Sequence, residues 1–211
     1  MSNSFQEEAW SSKFGKDYTV RNTTEPKQLN DLYIKKFGLT REAMNLDFIG
    51  DLNRNLKILE VGTNSGNQLA VLQGMGFTNL YGIEINEYAI EIAKERFPKL
   101  NLIEGSATDI PFKDNFFDLV YTSGVLIHIP QNDLAKVMHE IFRCTKRFIW
   151  GYEYFSEKTE EVNYRDNANL LWKSDFPNIF RNNFPSLELI KEKKYKYIDS
   201  KNIDVMYLLE K

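Results

Sequence analysis

The sequence has one cysteine and two histidines among its 211 residues. A single cysteine, Cys144, cannot form an internal disulfide, so no disulfide framework is expected, and we predict a buried thiol without a catalytic role. Neither histidine has a cysteine or carboxylate at metal-ligand spacing. We therefore predict no metal site.

The sequence also lacks a long apolar run and an excess of positive charge. No segment reaches the roughly 20 apolar residues that cross a bilayer, and residues 1–8 lack the basic and apolar regions of a signal peptide. The 27 Lys and Arg residues against 30 Asp and Glu residues give a net charge of −3. This balance provides no basic surface for nucleic acid or an anionic membrane. We expect a cytoplasmic protein with a small-molecule substrate and neither nucleic-acid nor membrane partners.

A strand, a glycine turn and a helix follow one another near the middle of the sequence. Residues 56–61 form a buried-strand pattern, and the apolar spacing of residues 68–72 is helical. Gly62 and Gly66 lie in the turn between them, where they tolerate unusual backbone angles and let a ligand approach the main chain. The helix N-terminus offers unpaired N–H groups suited to a carboxylate.

Two kinds of cofactor are candidates for this turn. A nicotinamide dinucleotide site has the spacing G-x-G-x-x-G, whereas this turn reads G-x-N-x-G. Asn64 occupies a position where such a site has no side chain beside the pyrophosphate, and Glu60 would place a negative charge near it. S-adenosylmethionine (SAM) has no phosphate and carries two positive charges, a sulfonium and an ammonium. A SAM site is therefore the prediction.

The next two strands supply further candidate contacts. Glu84 ends the second strand and can accept hydrogen bonds from both ribose hydroxyls. Ile85 would pack on the adenine, with Ser106 and Ala107 at its edge. In the N-terminal stretch, an Arg such as Arg21 could bind the SAM carboxylate through two hydrogen bonds. The full predicted cofactor set is Glu60, Gly62, Thr63, Asn64, Gly66, Glu84, Ile85, Ser106, Ala107, Thr122, Tyr18 and Arg21.

The arrangement of predicted elements indicates an α/β fold. In the first fifty residues Pro26 marks a helix start, Gly38 a stop, and Thr40 an N-cap of the next helix. From Lys57 onward strands and helices alternate, with the fifth strand over residues 147–151. Such alternation is typical of a parallel sheet.

In these motifs the sequence resembles the class I SAM-dependent methyltransferases. The match runs from Lys57 to Val120 and includes Ile110-Pro111-Phe112 before the fourth strand. The resemblance implies methyl transfer on a Rossmann-like fold: a seven-stranded, mostly parallel sheet with an antiparallel C-terminal hairpin (residues 187–197 and 203–210), flanked by helices. We predict one domain over residues 1–211, with a helical cap (1–55) and a lid or substrate insertion (153–183).

A closer resemblance extends over nearly the whole chain. The pattern Trp10-x-x-x-Phe14-Gly15-x-x-Tyr18-Thr19-x-Arg21-Asn22, the run from Gly124 to Ile129, Glu153-Tyr154 and Val162-x-Tyr164-Arg165 look like the pseudaminic acid biosynthesis-associated methylases. Residues 166–169 depart from their pattern. The resemblance implies an acceptor that is a nonulosonic sugar or its nucleotide-activated form, in bacterial surface glycan biosynthesis. Monomer and homodimer both remain open.

His128 is the candidate base. It lies just past the fourth strand, at the sheet edge where ligands bind, and a base is needed if the acceptor is a hydroxyl or a protonated amine. The alternative is that His128 packs or caps a short helical turn. Glu153, Tyr154, Tyr164 and Arg165 are candidate substrate contacts, with a solvated lid and a few packing aromatics as the alternative.

Two other functions remain open at the sequence level. One is a SAM-binding protein that does not methylate and serves a pathway enzyme as a partner. The other is a methyltransferase of protein or nucleic acid. The charge balance and the absence of an Asn-Pro-Pro-Tyr-like motif at residues 122–125 count against a nucleic-acid amino-methyltransferase.

Overall fold

The computed structural model describes residues 5–165 and 167–211. Two parts of the sequence predictions lie outside the described residues. They are residues 1–4, which belong to the segment compared with a signal peptide, and Asp166, which belongs to the stretch 166–169 that differs from the pseudaminic acid methylase pattern. The helices are α1 Phe5–Ser11, α2 Lys13–Asn22, α3 Pro26–Phe37, α4 Arg41–Ile49, α5 Asn67–Gly74, α6 Glu87–Arg96, α7 Gln131–Cys144 and α8 Phe176–Asn183. The strands are β1 Lys57–Val61, β2 Asn79–Glu84, β3 Asn101–Glu104, β4 Phe117–Ser123, β5 Thr145–Tyr154, β6 Glu160–Glu161, β7 Trp172–Lys173, β8 Glu188–Lys196 and β9 Ile203–Glu210.

The main sheet has seven strands in the order β3-β2-β1-β4-β5-β9-β8. β1 to β5 are parallel to one another, while β9 is antiparallel to both β5 and β8. The predicted fold class, with its antiparallel C-terminal hairpin, is therefore confirmed. Because the chain reverses strand order next to β1, the carboxyl ends of the parallel strands leave a crevice at one sheet edge.

Both faces of the sheet are covered, which explains the apolar runs in the strands. Along β1, Leu59 and Val61 pack in the core that includes residues of α7 and α8. Ile58 points the other way, into the core shared with α4, α5 and α6. The two-residue period of a strand thus divides one short sequence between two cores. Cys144, at the end of α7, is buried as predicted.

The local signals in the N-terminal region are confirmed. Pro26 is the first residue of α3, and Gly38 ends it in the left-handed conformation with φ 75°. Thr40 caps α4, its side chain accepting a hydrogen bond from the Ala43 N–H at 2.9 Å. No helix in the described part of the chain is long and apolar enough to cross a membrane.

β5 is longer than the predicted 147–151. It extends to Tyr154 because β9 continues to pair with it, from Phe148 opposite Glu210 to Tyr154 opposite Asp204. Glu153 accordingly lies in the sheet, where it is buried, and does not belong to a solvated lid. The rest of the 153–183 segment includes the β6–β7 hairpin and α8, whose apolar residues join the core.

Gly151 is predicted to be the most substitution-sensitive glycine of the sheet. A Cβ at this position would lie 2.1 Å from Cζ of Tyr207, a fully buried ring. Since this ring has no room to move, Gly151→Ala should lower the free energy of unfolding by about 3 kcal/mol or prevent folding. The matched control is Gly74→Ala at the end of α5, where an added Cβ meets nothing within 4 Å. Urea unfolding with equal midpoints for both variants would contradict this.

Candidate active site

The carboxyl ends of β1 to β5 open into a cavity of about 530 Å³. Further walls come from α1, α2, α3 and the start of β9. Most of the predicted site residues meet here, although they come from loops far apart in sequence. Those that line the cavity are Tyr18, Glu60, Gly62, Thr63, Asn64, Glu84, Ile85, Ser106, Ala107, His128, Glu153, Tyr154 and Tyr164.

The glycines of the turn after β1 have different roles. Gly62 lines the cavity with φ 73°, and a Cβ there would lie 2.6 Å from Cγ2 of Val125. Gly66 is the N-cap of α5 with φ 78°, and its Cβ would lie 3.0 Å from the Phe97 ring. Gly66 does not line the cavity. Its place in the cofactor site stays a prediction; in this structure Gly66 shapes the turn and makes room for Phe97.

Glu60 is a buried carboxylate that lines the cavity. The Thr63 hydroxyl donates to its Oε2 at 2.8 Å. Burial raises the pKa of Glu60 to about 8, although the Thr63 hydrogen bond acts in the opposite direction. A cation in the cavity would restore the charged carboxylate. The Glu60 carboxylate therefore suits a ligand with an ammonium or sulfonium group.

Glu84 is held by the backbone. Its Oε2 accepts from the Asn64 N–H at 2.9 Å and its Oε1 from the Asn86 N–H at 3.0 Å. Burial raises the pKa of Glu84, while these N–H groups lower it. An ionised carboxylate has about four acceptor positions. With one bond to each oxygen, Glu84 keeps acceptor capacity for a pair of hydroxyls, such as those of a ribose.

The edge predicted to meet adenine contains a carboxylate from α1. The Ser106 hydroxyl donates to Oε1 of Glu7 at 2.6 Å, and the Thr108 hydroxyl donates to the same oxygen at 2.9 Å. Ser106 lines the cavity and its hydroxyl oxygen can also accept, so the expected contact from Ser106 to the adenine stays a prediction. Its proton is directed at Glu7, so Ser106 positions a carboxylate that itself lines the cavity.

Glu7 is expected to favour an amino group over a carbonyl at the purine 6-position. A carboxylate accepts from an exocyclic amine but repels a carbonyl oxygen, and exchanging it for a neutral amide weakens the bond by about 1 kcal/mol. Calorimetry should show that Glu7→Gln weakens S-adenosylhomocysteine binding about fivefold. The ratio of the affinity for S-adenosylhomocysteine to that for S-inosylhomocysteine should also fall. Glu8→Gln, at the exposed neighbouring position, is the control. An unchanged preference in Glu7→Gln would refute this role.

The junction of α1 and α2 rests on the start of α6. Nδ2 of Asn86 donates to the backbone carbonyl of Trp10 at 2.7 Å. A Cβ on Gly15 would lie 1.8 Å from the same carbonyl oxygen, so only glycine permits this approach. Tyr18 faces the cavity from α2, whereas Arg21 is exposed and does not line it. The helix turns the Arg21 side chain to the surface, so its contact with the SAM carboxylate stays a prediction that this position does not support.

His128 lies in a short 3-10 turn, Leu126–His128, and is buried. Its Nδ1 is 2.7 Å from the carbonyl oxygen of Leu170. A carbonyl only accepts, so this contact assigns the proton of the neutral ring to Nδ1 and leaves Nε2 as an acceptor. The ring centroid is 4.5 Å from that of Trp10 and 5.2 Å from that of Tyr164. Burial lowers the pKa of His128 to about 4, so the ring is neutral near pH 7.

Glu153 lies beside the His128 turn at the end of β5. Its carboxylate accepts from the Val125 N–H at 3.2 Å and the Ile127 N–H at 3.5 Å. Burial raises the pKa of Glu153 to about 7, against a hydrogen bond from the Thr122 side chain. Thr122 is buried and does not line the cavity. Its predicted contact with the cofactor stays a prediction; in this structure Thr122 supports Glu153.

The end of the cavity at the start of β9 is lined by aromatic and acidic side chains. Asp204 accepts from the Tyr197 hydroxyl, 3.1 Å from each carboxylate oxygen, and from the Tyr152 hydroxyl. Burial raises the pKa of Asp204 to about 6. Tyr154 lines the same region. No local motif marks Asp204, which sequence reasoning missed because its partners are reached only through sheet pairing.

Tyr164 and its neighbour Arg165 differ in their access to the cavity, although the Arg165 guanidinium lies 5.9 Å from the centroid of the Tyr164 ring. Tyr164 lines the cavity and packs against His128. Arg165 has φ 54° and is exposed outside the cavity. The predicted substrate contact of Arg165 stays a prediction, since its guanidinium lies beside the ring of a cavity residue without lining the cavity itself. Within the described residues no group of three or more His, Cys, Asp or Glu side chains is arranged to hold a metal.

The fold and part of the sequence are similar to those of known methyltransferases. Residues 59–148 match the family model described as a methyltransferase domain. A SAM-dependent methyltransferase from Methanosarcina mazei has the same fold with a TM-score of 0.65 at 16% identity, over 77% of this chain and 95% of that chain. The domain match, which covers less than half of this chain, and the shared fold make the chain similar to class I SAM-dependent methyltransferases.

Curated relatives match part of the chain. A 24-methylenesterol C-methyltransferase 2 from Arabidopsis thaliana is 30% identical over 135 residues, which cover 61% of this chain and 37% of the relative. A phosphoethanolamine N-methyltransferase from Plasmodium falciparum is 28% identical over 117 residues, covering 54% and 44%. The chain thus spans less than half the length of these relatives.

Proposed function

We propose that this protein transfers a methyl group from SAM to an oxygen or nitrogen of a small molecule. The acceptor in this proposal is a nonulosonic, pseudaminic-type sugar or its nucleotide-activated form, used in bacterial surface glycan biosynthesis. The observation that carries the proposal is one continuous cavity. The residues suited to SAM and those suited to an acceptor line the same space.

The cofactor half of the proposal rests on three carboxylates. Glu84 would accept from the ribose hydroxyls, Glu60 would face the methionine ammonium, and Glu7 would meet the adenine amine. When bound, SAM supplies the activated methyl group. Because displacement at a sulfonium depends on alignment, the enzyme contributes chiefly by positioning, which is worth up to roughly 7–11 kcal/mol.

His128 is the base in this proposal. Its Nδ1 is oriented by the Leu170 carbonyl, which presents Nε2 for the proton of an acceptor hydroxyl or ammonium. Trp10 and Tyr164 pack on the ring and exclude water from it. Glu153, whose pKa is raised to about 7, lies next to this turn and can bind a hydroxyl or an amine.

The acceptor half is supported by the chemistry of the far wall. Tyr154, Tyr164 and Trp10 offer flat apolar faces, while Glu153 and Asp204 offer acceptors for hydroxyls. Stacking combined with carboxylate acceptors suits a sugar. The family match ends at residue 148, so Glu153, Tyr154, Tyr164 and Asp204 lie outside it.

Two rival functions make different predictions. A SAM-binding partner without methyltransferase activity would bind S-adenosylhomocysteine but release none from SAM. A methyltransferase of protein or nucleic acid would bind its polymer at low salt. The net charge of −3 gives little attraction for nucleic acid.

The test is formation of S-adenosylhomocysteine from SAM in the presence of acceptor. Nonulosonic acids, their nucleotide-activated forms, simple amines and sterols should be compared, with the product located by mass spectrometry. The proposal expects product with the sugar substrates, and His128→Ala as a low-activity control. Product only with amines or sterols would overturn the sugar assignment, and binding without product from any acceptor or cell extract would favour the partner role.

A further inference from the structure

Lys36 brings a positive charge to the wall of the cavity. It lies in the last turn of α3, where its backbone carbonyl accepts from the Ile198 N–H at 2.9 Å. This bond ties α3 to the β8–β9 connection. The Lys36 ammonium lies 4.3 Å from the centroid of the Tyr197 ring. In the described part of the chain, Lys36 is the one lysine or arginine that lines the cavity.

The ammonium of Lys36 has no carboxylate bound directly to it within the described residues. Asp204 and Asp199 act on it electrostatically, and both favour its charged form. Asp204, however, already accepts hydrogen bonds from the hydroxyls of Tyr152 and Tyr197. Burial lowers the pKa of Lys36, so the ammonium has lost hydration. A half-buried ammonium with unused donors gains most from an anionic ligand.

Sheet topology separates Lys36 from the cofactor residues. Glu60 and Glu84 lie on β1 and β2, whereas Lys36 contacts Tyr197 next to β9. Because β4 and β5 stand between β1 and β9, neighbouring-strand spacing separates β1 from β9 by roughly 14 Å. His128 follows β4 and Glu153 lies near the end of β5, the two strands in between. Lys36 therefore belongs to the end of the cavity beyond the candidate base.

We propose that Lys36 binds an anionic group of the acceptor, a carboxylate or a phosphate, and so holds the acceptor by its charged end. This inference rests on the proposed function and narrows it to acidic acceptors. A neutral sugar or a simple amine would leave Lys36 without its partner. The Tyr197 ring covers one side of the Lys36 ammonium, so an anion would approach from another side.

The test uses Lys36→Met with Lys35→Met as the matched control, because Lys35 is the exposed neighbour in the same helix. Each protein is first titrated with S-adenosylhomocysteine and with 5′-methylthioadenosine, which lacks the carboxylate. The complexes with S-adenosylhomocysteine are then titrated with N-acetylneuraminic acid, its uncharged methyl ester and inorganic phosphate.

We expect Lys36→Met to keep the wild-type affinity for S-adenosylhomocysteine and to lose tenfold or more in affinity for an anionic probe. Loss for the acid but not the ester assigns a carboxylate, and loss for phosphate assigns a phosphoryl group. The inference is overturned if neither anion binds in a Lys36-dependent way. It is also overturned if Lys36→Met weakens S-adenosylhomocysteine but not 5′-methylthioadenosine, since Lys36 would then bind the cofactor carboxylate. Absence of S-adenosylhomocysteine binding by the wild type would instead refute the proposed function.

Discussion

Glu84→Ala is expected to weaken S-adenosylhomocysteine binding by tenfold or more. The side chain lies in the cavity, and each of its oxygens has one backbone N–H fixed on it. Two hydroxyl donors to a charged acceptor contribute about 1.5–3 kcal/mol each, so loss of either explains a tenfold effect. Calorimetry with the purified variant measures the change directly.

Two further variants separate ribose recognition from damage to the turn. Glu84→Gln keeps the shape and one acceptor oxygen, so it should lie between the wild type and alanine. Glu104→Ala removes an exposed carboxylate at the matching register of the neighbouring strand and should bind as the wild type does. Wild-type affinity in Glu84→Ala would remove Glu84 from the cofactor site.

His128→Ala is expected to lower turnover by about a hundredfold or more while leaving S-adenosylhomocysteine affinity nearly unchanged. General base catalysis contributes on the order of 10²–10⁴ in rate. The ring also supports Trp10 and Tyr164, so His128→Phe, which retains an aromatic ring without a base, is the sharper variant. His139→Ala, at an exposed position of α7, is the control. Unimpaired turnover in His128→Phe would assign the histidine to packing alone.

The pH dependence gives a second reading of His128. Its pKa is lowered to about 4 by burial, and a base must be unprotonated to act. The ring is therefore already competent at pH 5, and protonation of His128 should reduce kcat/KM only as the pH falls toward 4. An acid limb near the ordinary histidine pKa of about 6.5 that disappears in His128→Phe would contradict the buried ring described here.

Sequence reasoning succeeded where the signal was local or periodic. The caps at Gly38 and Thr40, the turn at Gly62 and the strand ending in Glu84 each depend on a few neighbouring residues. The alternation of strands and helices along the chain then predicted the parallel sheet. Because the carboxyl ends of parallel strands share an edge, residues on separate strands could be expected in one site.

The sequence does not determine contacts that depend on side-chain direction or on distant packing. Arg21 and Arg165 lie beside cavity residues in sequence, but the backbone turns both to the surface. Glu7 reaches Ser106 across 99 residues, and Asp204 meets Tyr152 across 52. No local pattern marks such partners. In the sequence, Lys36 is indistinguishable from a surface lysine of α3. Its place in the cavity wall follows only from the packing of α3 against the β8–β9 hairpin.

Whether this cavity binds SAM can be measured by calorimetric titration of the wild type with S-adenosylhomocysteine, with NAD as the comparison ligand. We expect micromolar or tighter binding of S-adenosylhomocysteine and no measurable binding of NAD. Failure to bind S-adenosylhomocysteine, or equal binding of NAD, would contradict the assignment of Glu60, Glu84 and the glycine turn to a SAM site.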